Sequence, residues 1–456
     1  MTPVVLAMFV TFGSLGACGP GPRPGGVDDG PHRDGGSSGD GDLNRDADIT
    51  EDGGTDGNVI TDGSVVTDGS VITPDASPID PPAPYELVAG GGHTCAIDDT
   101  NLRCWGLNDM GQLGVASTAT CSGQPCTKTP TQVLASVTKV SLGQRATCAI
   151  RADKTLWCFG DSRQRQLGLT PLDVCPTNAA CVKTPTQVPG LANVIDVAVG
   201  TTHTCVVLEG GTVQCTGSNS VGEMGNGTTT PANVFAAVPG ITTATAIRVG
   251  ANFACALLAD HTLTCWGHNL IGQLGRGTLS CTTCTSPMPV VNLTGVRQFA
   301  LGSQFGCAVR DDLGVWCWGS NQIGQSGAGG PEVCTGVSCN TTPRHIPNHT
   351  AFEVGTGAQH ACSRHLDGTT SCWGSDFAGQ LGIQPFPTDC GGIHPCAGSP
   401  RLVTGTVDGR RLALGDAYSC VLVADGTGQC WGNNAMAQYG DGTTLEALTP
   451  LAITNW

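Results

Sequence analysis

From Tyr85 onward, apolar and polar positions alternate in short runs such as Val197-Ala198-Val199-Gly200. A period of two predicts half-buried strands rather than helices. The runs share one grammar. An apolar stretch ends on a Gly, and a Cys follows five residues later: Gly90, Gly143, Gly200, Gly250, Gly302, Gly357 and Gly415 all hold this place. Next comes a turn carrying an acid or Gly, as at Asp98-Asp99 or Asp153, and then a second Cys. That Cys usually precedes Trp-Gly, as in Cys104-Trp105-Gly106 and Cys265-Trp266-Gly267. Gly-Gln-Leu-Gly turns stand at 111–114, 272–275 and 379–382, with variants such as Gly222-Glu223-Met224-Gly225. Each unit closes on a Pro-led apolar strand such as Thr129-Pro130-Thr131-Gln132-Val133. The prediction is strand, tight hairpin, strand, glycine turn, loop, strand, repeated along the chain.

Cysteine spacing counts the repeats. Of 25 cysteines, 14 form seven wide pairs: Cys95 with Cys104, Cys148 with Cys158, Cys205 with Cys215, Cys255 with Cys265, Cys307 with Cys317, Cys362 with Cys372 and Cys420 with Cys430. Ten more form five narrow pairs: Cys121 with Cys126, Cys175 with Cys181, Cys281 with Cys284, Cys334 with Cys339 and Cys390 with Cys396. The third and seventh repeats lack a narrow pair, and Cys18 is left over. First cysteines of successive wide pairs lie 50 to 58 residues apart. That period points to a propeller or solenoid. Cysteines flanking a short turn can face each other across antiparallel strands, so every pair reads as a local disulfide. Each closure is worth about 2–3 kcal/mol in the chain-entropy account.

The Gly-x-x-His-Thr/Ala-Cys segments at His93, His203 and His360, the Trp-Gly pairs and the Gly-Gln-Leu-Gly turns resemble the regulator-of-chromosome-condensation (RCC1) repeat. The resemblance spans Tyr85 to Trp456 and implies an all-β, seven-bladed propeller, here disulfide-rich, with repeats starting near 85, 137, 191, 241, 293, 350 and 405. Departures are Ala146, Phe253, Phe305 and Tyr418 at the His register, and Thr216 where Trp is usual. Seven hairpins and seven Pro-led strands let a ring close. The expectation is that the last strand, Thr449-Pro450-Leu451-Ala452-Ile453, joins the first blade and closes it.

The N-terminal residues read differently. Val4 to Leu15 is an apolar run too short to span a bilayer as a mature helix. It reads as a signal core, and Leu15-Gly16-Ala17-Cys18 resembles a lipobox that would lipidate Cys18. Residues 1–18 are therefore expected to form a signal peptide. Residues 19–84 hold 14 acidic side chains and 3 Arg, a net −11. Rich in Gly, Asp and Pro, they are expected to form a disordered acidic tether. The remainder has 23 acidic and 18 basic residues, a net −5 of the total −16. This balance argues against nucleic acid as a partner.

No catalytic constellation, phosphate loop or cofactor motif is evident, so the chain is read as a non-enzyme without cofactor. The spacing Cys281-Thr282-Thr283-Cys284 also fits a metal or redox pair, yet each narrow loop offers only two thiols where structural zinc needs four ligands. The repeat-register histidines read as structural. Asp42, Asn44, Asp46 and Asp52 form a calcium-loop-like string in which Ala47 replaces the turn glycine. The expected function is an exported, lipid-anchored, monomeric binding module at the outer membrane or cell surface, or otherwise periplasmic or secreted. Its narrow-pair loops would meet an unknown protein or glycan ligand, the alternative being that they only resist proteolysis. Other readings are inhibition of a secreted enzyme, as a similar propeller inhibits β-lactamases, a structural envelope role, and guanine-nucleotide exchange by family similarity alone.

Overall fold

The computed structural model describes residues 86–171, 173–330, 332–390 and 394–454. Regular structure there is all strand except a single 3-10 turn at Pro176–Asn178. The strands form seven sheets, each an antiparallel blade built from consecutive chain. In blade 1 the order is β1 (Glu86–Ala89), β2 (His93–Asp98), β3 (Asn101–Leu107) and then β5 (Gln124–Leu134), edged by the short β4 (Ala119–Cys121). The other blades begin at Val137–Leu142, Val194–Val199, Ala244–Val249, Val296–Leu301, Glu353–Thr356 and Gly409–Leu414. These first strands surround the central axis, and the Pro-led strands lie outside the hairpins, edged in blades 1, 2 and 5 by one further short strand.

The wide cysteine pairs sit at directly opposed positions of the first hairpin, as with Cys95↔Cys104 and Cys255↔Cys265. All seven are bonded: Cys95–Cys104, Cys148–Cys158, Cys205–Cys215, Cys255–Cys265, Cys307–Cys317, Cys362–Cys372 and Cys420–Cys430. Their Cα atoms are 4.1 Å apart in every case. This matches the close, non-hydrogen-bonded spacing of an antiparallel pair. The partners Cys158, Cys215, Cys317, Cys372 and Cys430 are fully buried, as Cys104 and Cys265 are, so the cross-links run through the blades and not over their surface. The acids in the hairpin turns serve the backbone: Asp153, Asp260, Asp367 and Asp425 each accept from the amide and hydroxyl of the Thr two residues on. These bonds hold all four carboxyls below their usual range.

The ring closes differently from the expectation. The terminal strand Ala447–Ile453 pairs with Gly428–Gly432 inside blade 7 and does not enter blade 1. Each repeat runs from the axis outward, so its Pro-led strand completes the blade that its own hairpin began. Closure is therefore packing of whole blades. The Tyr418 hydroxyl donates to the His93 carbonyl at 2.8 Å, and Trp105 Nε1 donates to the Gln438 carbonyl at 2.8 Å.

The same bond recurs around the ring. Trp266, Trp318, Trp373 and Trp431 each donate Nε1 to a carbonyl in the preceding blade's glycine turn, at Glu223, Gln273, Gln325 and Gln380. The last Gly of that turn lies on the indole, as Gly225 does on Trp266. Blade 3 has Thr216 at the Trp place, and Phe235 from its outer strand covers Gly168 instead. Five of these indoles are fully buried, so they supply much of the inter-blade contact.

Candidate binding face

The strand register sends all glycine turns and narrow-pair loops to one end of the propeller. Ala89 pairs with Thr94, His93 with Gly106, and Leu107 with Cys126. The β1–β2 turn, the glycine turn after β3 and the loop before β5 thus share a face. The Asp-bearing hairpin turns lie at the opposite end.

At the centre of this face the seven register glycines touch in sequence. A Cβ on any of them would lie no more than 3.1 Å from the next one's carbonyl oxygen, with Gly415 meeting Gly90 to complete the circle. Only glycine permits so close an approach. The ring surrounds a small cavity of about 130 Å³. Its rim residues are Gly91, Gln144, Thr201, Ala251, Ser303, Ala358 and Asp416. Asp416 is the single charge there; burial raises its pKa, opposed by a hydrogen bond from Gln144. Toward the other end, Lys139 and Arg248 hold buried Asp196 at 2.8 and 3.1 Å. Burial alone would raise this carboxyl, but the two cations outweigh it and its pKa is lowered.

The register histidines stand between blades. His93 Nε2 bonds Thr147 Oγ1 at 2.9 Å, and His360 Nε2 bonds Ser419 Oγ at 2.9 Å. Burial pushes His93 and His360 down to about 3 and His203 to about 4, so all three are neutral. Neutral, enclosed imidazoles are struts rather than proton shuttles.

The glycine turns are wired alike in all seven blades. The side chain of the Gln, or Glu223 in blade 3, accepts the amide two residues before it. An Asn opens the turn at Asn108, Asn219, Asn269, Asn321 and Asn434. Its Oδ1 caps a turn amide, and its Nδ2 reaches a carbonyl of the following loop, as from Asn269 to Thr278 and from Asn434 to Leu445. Blade 6 has Asp376 instead. Its Oδ1 caps Leu381, but Oδ2 is buried without a hydrogen-bond partner. Burial raises its pKa to about 6. This Asn escaped the sequence reading; aligning the glycine turns would have exposed it.

All five narrow pairs are bonded, Cys121–Cys126, Cys175–Cys181, Cys281–Cys284, Cys334–Cys339 and Cys390–Cys396. Three of them lie beneath the preceding blade rather than at loop tips. Met110 packs on Cys175 and Cys181, Met436 on Cys121 and Cys126, and Ile271 on Cys334 and Cys339. Gly222 and Gly324, which follow Val221 and Ile323, back onto Cys284 and Ala397. The turn position thus carries a large apolar residue wherever the next blade has a narrow pair. Where the next blade lacks one, the position holds Gln164 or Ala378. Cys121–Cys126, Cys175–Cys181 and Cys334–Cys339 are inter-blade wedges.

On the same face, loop residues project into solvent. Val174, Val333, Phe377 and Leu445 are 62%, 69%, 74% and 72% exposed. Among the described residues, no group of three or more His, Cys, Asp or Glu is placed to hold a metal ion. Cys18, the tether and the string Asp42, Asn44, Asp46 and Asp52 lie outside the described residues.

Comparison with known proteins bears on the repeat. The family described as Regulator of chromosome condensation (RCC1) repeat matches residues 103–150 and 153–207. A second profile of that repeat matches 86–112, 137–166, 194–223, 244–273 and 296–325. The human E3 ubiquitin-protein ligase HERC2 is 28% identical over 386 residues, 81% of this chain but 7% of that protein. Protein pim1 of Schizosaccharomyces pombe is 34% identical over 152 residues, 30% of this chain and 28% of its own. The chain thus spans a small fraction of the curated relatives it matches. Among solved structures, Prp20p of Saccharomyces cerevisiae, described with its binding to Gsp1p and histones, superposes with a TM-score of 0.66 at 19% identity, covering 82% of this chain and 88% of that one. Human WBSCR16 superposes at 0.65 with 20% identity, covering 78% and 94%. At these identities the structures speak to fold alone.

Proposed function

For a chain that carries RCC1 repeats closed into a seven-bladed propeller, we propose a role as an exported protein-binding module that engages its partner through the glycine-turn face. The observation that carries this reading is the construction of that face. Five narrow disulfides fix the loops, and exposed Val174, Val333, Phe377 and Leu445 stand on the same face. Cross-linked loops lose little entropy on binding. Twelve disulfides suit an oxidising compartment. Lipidation at Cys18, with residues 19–84 as a tether and 85–456 as the displayed domain, belongs to the same proposal. Prp20p, of the same fold, is described with protein partners, which favours a protein over a glycan.

The test is capture of envelope and secreted proteins by the immobilised, oxidised full chain, with bound proteins identified by mass spectrometry. Exchanging Val174, Val333 and Phe377 for Ser should abolish retention. Exchanging Leu366 and Val407, exposed near the opposite end, should leave it intact. The reverse pattern would overturn the assignment of the face.

A further inference from the structure

The wedge pattern is broken at one place in a distinctive way. Blade 7 has no narrow pair, so no disulfide from it covers the tip of the blade 6 turn. Phe377 at that tip is 74% exposed, with the His394 ring beside it at 5.8 Å. Leu448 from blade 7 lies over Gly379, and Leu445, three residues earlier, is 72% exposed. The other junction without a wedge, from blade 2 to blade 3, carries Arg163, Gln164 and Arg165 at its tip. An uncovered tip is therefore polar in one case and aromatic in the other.

Charge divides the face along the same line. The loops 376–396 and 433–447 hold Asp376, Asp389, Asp441 and Glu446 and no Lys or Arg. Arg401 pairs with Asp389 from the neighbouring strand and Asp376 is buried in its turn, which leaves Asp441 and Glu446 on the patch side. The loops of blades 1 and 2, 108–128 and 162–183, hold Lys128, Arg165 and Lys183 besides Arg163, which pairs with Asp161, against Asp109 and Asp173. An apolar patch flanked by Asp441 and Glu446 attracts one class of surface: apolar side chains flanked by cations.

Resting on the binding-face reading above, we infer that the gap between blades 6 and 7 is the anchoring point of the interface. Its occupant is a segment of a partner protein in which aromatic or aliphatic residues are interleaved with Lys or Arg. Phe377 and Leu445 supply the apolar contact, and Glu446 and Asp441 steer the cations.

The test uses the full chain and two labelled peptides, Lys-Leu-Trp-Lys-Leu-Lys and its counterpart with Glu for every Lys, followed by fluorescence anisotropy. The Lys peptide should bind saturably, at least tenfold tighter than the Glu peptide, and weaken as salt is raised. Phe377→Ser with Leu445→Ser should reduce its affinity at least tenfold. Both residues are exposed, so the fold is kept, which circular dichroism checks. Leu366→Ser with Val407→Ser, exposed near the opposite end, should leave affinity unchanged. Loss with Val174→Ser and Val333→Ser but not with the Phe377 pair would overturn this anchoring point while keeping the loop face. Equal affinity for both peptides, or no saturable binding, would overturn the charge-selected partner. Insensitivity of peptide binding to every one of these loop-face changes would overturn both readings.

Discussion

The junction between blades 4 and 5 and the junction between blades 6 and 7 are the same device with one part exchanged. In both, an indole donates to the preceding turn, Trp318 to Gln273 and Trp431 to Gln380. In both, the turn glycine lies on that indole. At the first junction Ile271 is buried on the Cys334–Cys339 disulfide. At the second, no disulfide follows, Ala378 replaces the large apolar residue, and Phe377 turns out to solvent. At both junctions the indole bond ties one blade to the next, and the wedge is present at one and absent at the other. Stability and recognition thus occupy different layers of one repeat.

The largest effect should come from the shared layer. Trp318→Ala removes a fully buried indole and its hydrogen bond and should cost about 3–5 kcal/mol, measured by denaturant unfolding of the oxidised protein. A loss below about 1 kcal/mol would mean that the wedge, not the indole, secures the junction. Next is the wedge itself. Cys334→Ser with Cys339→Ser should cost about 2 kcal/mol and increase proteolysis near Ile271, since the disulfide is packed as well as cross-linked. If the double variant melts like the parent, the narrow bond serves only its own loop.

A third prediction sets blade 6 against the others through pH. Asp376 stands where five blades use Asn, and burial raises it from 3.8 to about 6. Between pH about 4 and 6 the unfolded chain has lost a proton that the folded chain keeps, so this group makes stability fall as pH rises. Asp376→Asn should remove that penalty. The variant's Tm should exceed the parent's by a few degrees at pH 7, with the gap closing toward pH 4. A gap independent of pH would refute the account. Buried His93, His203 and His360 act oppositely: between pH about 3 and 6.5 the unfolded chain binds protons they refuse, so their contribution is lost on acidification. The smallest effect belongs to the open junction: Phe377→Ser should change stability by less than about 0.5 kcal/mol. A larger change would mean that Phe377 packs rather than projects.

Much of the fold was legible because the repeat writes each blade locally. Gly90 and Gly415 announced their register through spacing alone, and the Trp-Gly pairs marked the strand that follows each hairpin. The ring closure was misread. Thr449–Ile453 looked unpaired because the Pro-led strand was assigned to the next hairpin instead of its own, and spacing cannot say which side a strand joins. Phe235 could not be identified as the substitute for the missing Trp at 216, since the two lie on different strands and meet only through Gly168 of the preceding blade. The narrow loops were legible as cross-linked loops, but not as wedges, because their partners Met110, Ile271 and Met436 belong to another repeat.

The sequence by itself determined the elements and their number: seven hairpins, seven Pro-led strands, a period of 50 to 58 residues and an all-β ring. These follow from alternation, turn chemistry and short-range spacing, which act within a repeat. Only the tertiary structure decided what covers what. The glycines close into a circle, the indoles reach backward to the preceding turn, and an aromatic tip is left bare between blades 6 and 7. Those outcomes depend on contacts between residues some fifty positions apart, with the closing pair Gly90 and Gly415 at opposite ends of the domain, and no local pattern encodes which surfaces such contacts bury.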